Sequence, residues 1–126
     1  MPNVKPRLAT LPTRVLKRDG NQVAFEAGKI RSAIERAGRA SGEFGTQEAE
    51  RLTSQVVKVL SHRFHDGRMP DIEAIKDLVE QTLIADDHFE TARAYIRYRE
   101  QHRKLRSDRR TLVDAAASID EYLDRS

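Results

Sequence analysis

Arg14-Val15-Leu16-Lys17-Arg18-Asp19-Gly20-Asn21-Gln22-Val23-Ala24-Phe25 is followed at Glu26 by a change of period. Asp19-Gly20 is a strong turn signal, because a tight two-residue turn wants positive φ at both central positions. The stretch is predicted to be a β-hairpin, with Arg18 opposite Asn21, Lys17 opposite Gln22 and Leu16 opposite Val23. From Glu26 onward Ile30, Ala33, Ile34 and Ala37 recur at helical spacing, and Gly42 and Gly45 bracket the end of that helix. The chain therefore passes from a hairpin into helices, and the remaining sequence stays helical.

A second helix is predicted with Thr46 as N-cap, Glu48 and Glu50 in its first turn, and Leu52, Val56, Leu60 and Phe64 as its apolar stripe. His65-Asp66-Gly67-Arg68 breaks it. A third begins near Pro70-Asp71 and carries Ile72, Ile75, Leu78, Val79 and Leu83 on one face. Asp87 and Glu90 have capping-box spacing for a fourth, whose inner face would use Phe89, Ala92, Tyr95 and Ile96. A helical tail opens at Thr111 and Asp114, with Leu112, Ala116, Ile119 and Leu123 as a weak stripe. The expected fold is mainly α: four helices and a tail, with a small β lid. A two-stranded hairpin is marginal alone, so it should lie on the helices, with room for a third short strand around Arg68 to Pro70.

At 126 residues, 38% hydrophobic and 34% charged, the chain reads as one soluble globular domain without space for a large catalytic body. It has no cysteine, which excludes a disulfide framework, a thiolate metal site and cysteine or thiyl-radical chemistry within these residues. No apolar run approaches the roughly 20 residues of a membrane span. The first residues carry Pro2, Pro6 and Pro12 but no signal-like apolar core, so a cytoplasmic protein with an extended N-terminal arm is expected. The formal charge of +3 is concentrated late in the chain. Arg93, Arg97, Arg99, Arg103, Lys104, Arg106, Arg109 and Arg110 stand against Glu100 and Asp108, a segment that attracts anions.

Lys17 and Arg18 beside the turn and Lys29 at the start of the first helix supply what a polyphosphate needs: point charges, a planar fork and a helix N-terminus. The same residues also suit a solvated hairpin turn, and no Walker-type glycine loop is present. Spacing leaves both readings open. His62, His65 and Asp66 have loose spacing and no third ligand beside them, so they do not make a metal site. No serine–histidine pairing or glycine elbow supports nucleophilic catalysis.

The run Val15-x-Lys17-Arg18-Asp19-Gly20, followed by Phe25 and Lys29-Ile30, resembles the opening signature of the ATP-cone family of ribonucleotide reductases. Ile72 with Leu78-Val79-Glu80 resembles the family's third helix, and His88 to Arg99 is similar to its fourth, with its Ala-x-x-Tyr-x-x-Tyr-Arg pattern. The resemblance covers most of the chain. It implies an arm over residues 1–12, a nucleotide-binding cone over 13–106 under a short sheet, and a linker over 107–126 leading to a catalytic domain. It further implies that Lys17, Arg18 and Lys29 contact the phosphates, Val15 and Ile30 the base or sugar, and that Tyr95 and Arg99 line the pocket from the fourth helix. Tyr95 and Tyr98 read equally as packing aromatics.

The implied ligands are ATP and dATP, with Mg2+ carried by phosphate oxygens and water. The implied function is allosteric: ATP activates and dATP inhibits a reductase, with no chemistry in this domain and a homo-oligomer that changes with nucleotide. The segment Ile119 to Ser126 looks like the one leading into the catalytic body of anaerobic, glycyl-radical reductases, with an adenosylcobalamin reductase as second parent. The competing reading is a nucleic-acid-binding helical module using the Arg93–Arg110 stripe. Few aromatics and no groove-reading motif stand against it. The family's DNA-binding repressors carry a cysteine-rich zinc ribbon, for which this chain has no cysteines.

Overall fold

The computed structural model describes residues 11–65 and 67–124, with side chains as far as residue 109. Most of the expected N-terminal arm, residue Asp66, and the side chains of the expected tail stripe at Leu112, Ala116, Ile119 and Leu123 lie outside that description. The described residues form β1 (Arg14–Leu16), β2 (Gln22–Ala24), α1 (Ala27–Ser41), α2 (Thr46–Arg63), α3 (Ile72–Ala85) and α4 (Phe89–Asp124). The fold is mainly α with a small antiparallel hairpin, as the sequence predicts. Two compact units divide the chain, one up to Tyr95 and one from Ile96.

In the first unit α1 packs on α2 and α2 on α3. Ile34, Leu52, Val56, Leu60 and Leu83 are completely shielded from solvent, and Ile75, Leu78 and Val79 nearly so. Burial of such side chains stabilises by roughly 1.5–3 kcal/mol each before conformational entropy is subtracted. α1 ends at Gly42, whose φ of 78° only glycine adopts at low cost. Asp71 caps α3, its Oδ1 accepting from the Ala74 N–H at 2.7 Å.

The hairpin register differs from the sequence expectation by one residue. Val15 faces Val23 and Leu16 faces Gln22. The Lys17 N–H donates to the Asn21 carbonyl at 2.8 Å, and the Gly20 N–H to the Lys17 carbonyl at 3.0 Å. Arg18-Asp19-Gly20 is thus a three-residue loop closing on Gly20, with φ of 88°. Asp19 reinforces it by accepting from both the Asn21 N–H and its side-chain amide. One residue of shift exchanges the faces of the strand, and here it turns Val15 into the core. In place of a third strand, Leu16 makes a single parallel bridge to Asp71.

Two helix starts also differ. Gly45 stands at the N-cap of α2, while the Thr46 hydroxyl donates to Glu35 Oε2 and accepts from Arg39 Nη2, each at 2.9 Å. Asp87 has a φ of 63° and caps nothing. Instead Glu43, from the α1–α2 loop, accepts from the Thr91 N–H at 2.9 Å, the Thr91 hydroxyl at 2.6 Å and the Glu90 N–H at 3.3 Å. That choice brings Thr91 inside with Ala92 and Tyr95, and leaves Phe89 55% exposed rather than on the inner face. Ile96, also expected inside, is 40% exposed. α4 continues to Asp124 without the break expected before Thr111, since no glycine or proline interrupts it. Among the described residues no helix is long and apolar enough to cross a membrane.

Candidate functional site

Lys17 and Arg18 are held at the mouth of the three-residue loop, and β2 runs almost directly into α1, which carries Lys29 in its first turn. α1 has neither a side-chain cap nor an acidic residue in that turn. Its first N–H groups are therefore not claimed by a capping side chain, which is the condition for an anion to sit there. Gly28 adds no bulk at this point, since a Cβ built on it would meet nothing within 4 Å.

The expected apolar residues come together. Val15, Ile30 and Tyr95 are each at least 92% buried, within one cluster that also holds Ile34, Ile75 and Leu78. They are core residues with little surface left to solvent. Arg99 belongs to the second unit. Lys29 pairs with Glu26 at 3.4 Å, a local contact of two exposed side chains. Lys17 is exposed.

Arg18 is not a free cation. Its Nε donates to Glu73 Oε2 at 2.9 Å, across 55 positions of sequence, and Nη2 lies 2.7 Å from the same oxygen as an ion pair. Glu73 lies in the first turn of α3, with Lys76 Nζ 4.0 Å from the same oxygen. The backbone follows the same path, because the Leu16 N–H donates to the Pro70 carbonyl at 3.0 Å. The hairpin is thus tied to the start of α3 by main chain and side chain together. Glu73 and Lys76 were not among the residues the sequence pointed to. An acidic residue in a first helical turn reads simply as a partner for the helix dipole.

A second polar cluster lies at the other end of the bundle. His88 Nε2 is 2.7 Å from Glu48 Oε2, and its ring meets Phe44 edge-on at 4.7 Å. Arg51 bridges Glu48 and Asp86. Its hydrogen bond, followed by that of His88, holds the Glu48 carboxyl down to about 2. Hydrogen bonds from Thr91 likewise hold Glu43 below the usual carboxylate range. These groups join α2, the α1–α2 loop and the start of α4, and their mutual satisfaction marks them as structural.

A cleft of about 380 Å³ opens beside the hairpin, lined by Leu11, Pro12, Arg14, Gln22, Phe64 and Met69 among others. None of the seven expected nucleotide-site residues lines it. Arg14 spends part of its guanidinium on the Gln22 carbonyl at 3.0 Å.

Comparison with known proteins identifies the family. The ATP cone domain pattern matches residues 13–104. The chain is 38% identical over 104 residues to the ribonucleoside-diphosphate reductase subunit alpha of Chlamydia muridarum, covering 75% of this chain and 10% of that protein. It is 35% identical over 100 residues to the vitamin B12-dependent ribonucleoside-diphosphate reductase of Thermoplasma acidophilum, covering 75% and 12%. With the anaerobic ribonucleoside-triphosphate reductase of Salmonella typhimurium it shares 33% over 111 residues, covering 82% and 15%. The chain thus spans no more than 15% of the length of these three relatives. The matched region takes in the hairpin, the helix bundle and the start of α4, and the chain belongs to the ATP cone domain family.

Proposed function

We propose that this chain is a regulatory nucleotide-binding domain that reads ATP against dATP on behalf of a ribonucleotide reductase and carries out no chemistry itself. The observation that supports it best is the loop Lys17-Arg18-Asp19-Gly20, joined to the start of α3 and leading into an α1 N-terminus that no side chain caps. Lys17, Arg18 and Lys29 would hold the phosphates, with Mg2+ entering on the phosphate oxygens and needing no protein cage. Val15, Ile30 and Tyr95 would form the apolar floor on the base and sugar side.

ATP and dATP differ by one ribose hydroxyl, so the domain can report their ratio only if the two stabilise different states. The phosphate contacts supply affinity common to both, and the surroundings of the sugar decide the state. The output is the reductase switched on by ATP and off by dATP, through a nucleotide-dependent association of subunits. Reductases of three kinds match at similar identity, and of the three compared above the anaerobic one aligns over the longest stretch. With the tail's resemblance, this supports reading the parent as an anaerobic reductase, ahead of a vitamin B12-dependent one. Replacing Lys17 and Arg18 together by Ala should weaken ATP and dATP alike by about tenfold or more. Unchanged affinity for both would remove these residues from the site.

One observation favours a second reading. Arg97, Arg103, Lys104, Arg106 and Arg109 are all exposed on α4 and could meet a nucleic-acid backbone. Salt-dependent DNA binding in the absence of nucleotide would support it.

A further inference from the structure

Arg18 meets its carboxylate as it would meet a phosphate. Its Nε–H donates to Glu73 Oε2 at 2.9 Å, and Nη2 stands 2.7 Å from the same oxygen, so the fork faces one anionic oxygen. The pair is 45% and 37% exposed, so a dissolved anion can reach it. Exposed pairs of this kind contribute little net free energy in water, so an incoming phosphate can displace the carboxylate.

Glu73 is also not stranded once Arg18 leaves. Lys76 stands 4.0 Å from the same oxygen, one turn further along α3, and the N-terminus of that helix favours a negative charge. Nor does the hairpin come loose, because the Leu16 N–H bond to the Pro70 carbonyl and the bridge to Asp71 do not involve either side chain. Only the tip of the loop is released.

We propose that Glu73 is the resident counter-ion of the phosphate seat, a latch that holds Arg18 on α3 when nucleotide is absent and yields it to phosphate on binding. The proposal rests on the nucleotide-binding reading above and adds to it a positioning residue and a switch. Glu73 sets the affinity by opposing the incoming charge, and its exchange for phosphate converts binding into a release of the hairpin loop from α3. Since it acts on phosphate, it leaves the preference between ATP and dATP untouched.

The 126-residue chain is titrated with ATP, dATP and inorganic tripolyphosphate in the presence of Mg2+, as wild type, E73Q, R18A and the R18A/E73Q double variant. Side-chain NMR of the Arg18 Nε–H is recorded without any ligand. The latch requires an Arg18 Nε–H that is protected from exchange in the wild type and loses that protection in E73Q. It also requires E73Q to tighten all three ligands by about three- to tenfold, with that gain absent in the R18A background. An Arg18 Nε–H unaffected by E73Q overturns the latch, whatever the nucleotides do. So does weaker binding in E73Q, which would make Glu73 a ligand, or a change confined to the ATP-to-dATP ratio, which would place it on the sugar. A wild-type chain that shows the protected Nε–H but binds none of the three ligands keeps the ion pair and removes its proposed purpose, and the nucleotide reading fails with it. E73A, run beside E73Q with thermal unfolding of each, guards against an effect of the amide itself.

Discussion

Glu43 and Arg18 are both surface residues by type, and each bonds to another element far away in sequence. Glu43 satisfies two backbone donors and one hydroxyl at the start of α4, where an ordinary N-cap would satisfy one donor. E43A should lower stability by about 1–2 kcal/mol, and E43Q, which keeps one acceptor oxygen, by less; chemical denaturation measures both. Equal stability of all three proteins would show that α4 is held by its packing alone. The pKa shifts give a further test at this scale. Glu43 and Glu48 are both held below the ordinary carboxylate range, so the stability they contribute is fully present above that range. It should drain away as pH falls toward about 2, where Glu48 takes up its proton. In E48Q the acid limb of the stability profile should be shallower than in the wild type.

Among the elements, the α1–α2 connection is the most tightly determined. Gly38 is buried under Phe44, and a Cβ built there would lie 2.2 Å from the Phe44 ring. That ring also meets the His88 ring edge-on at 4.7 Å. G38A should therefore cost about 1–3 kcal/mol, visible as a melting temperature several degrees lower, despite alanine's better helix propensity. A more stable G38A would mean that Phe44 moves aside freely. Features within one element were legible in the sequence: Gly42 at the end of α1, the start of α3 near Pro70-Asp71, and the stripe Leu52, Val56 and Leu60. Those acting across elements were not. The Glu43 cap spans 47 and 48 positions and the Arg18–Glu73 pair 55, and local spacing carries no trace of either. The hairpin register failed for a subtler reason. Asp-Gly suits a two-residue and a three-residue loop equally, and the choice depended on turning Val15 into a core the turn does not know.

For the whole molecule, the buried hydrophobic core of the described residues runs from Val15 to Tyr95. The described side chains from Ile96 onward add none to that core. Removing residues 107–126 should then leave the cooperative unfolding transition nearly in place, within a few degrees by calorimetric scanning. A collapse of the transition would show that the rest of α4 supports the core. Lys17 and Arg18 were legible as cations beside a turn, while the family was legible only from the motifs taken in order, as the match over residues 13–104 bears out. The central claim is that this domain binds adenine nucleotide as an effector. Isothermal titration of the intact chain with ATP, dATP and GTP in Mg2+ tests it most directly. ATP and dATP should each bind saturably and compete for a shared site, with GTP much weaker. No heat from either adenine nucleotide at high micromolar protein would contradict the claim.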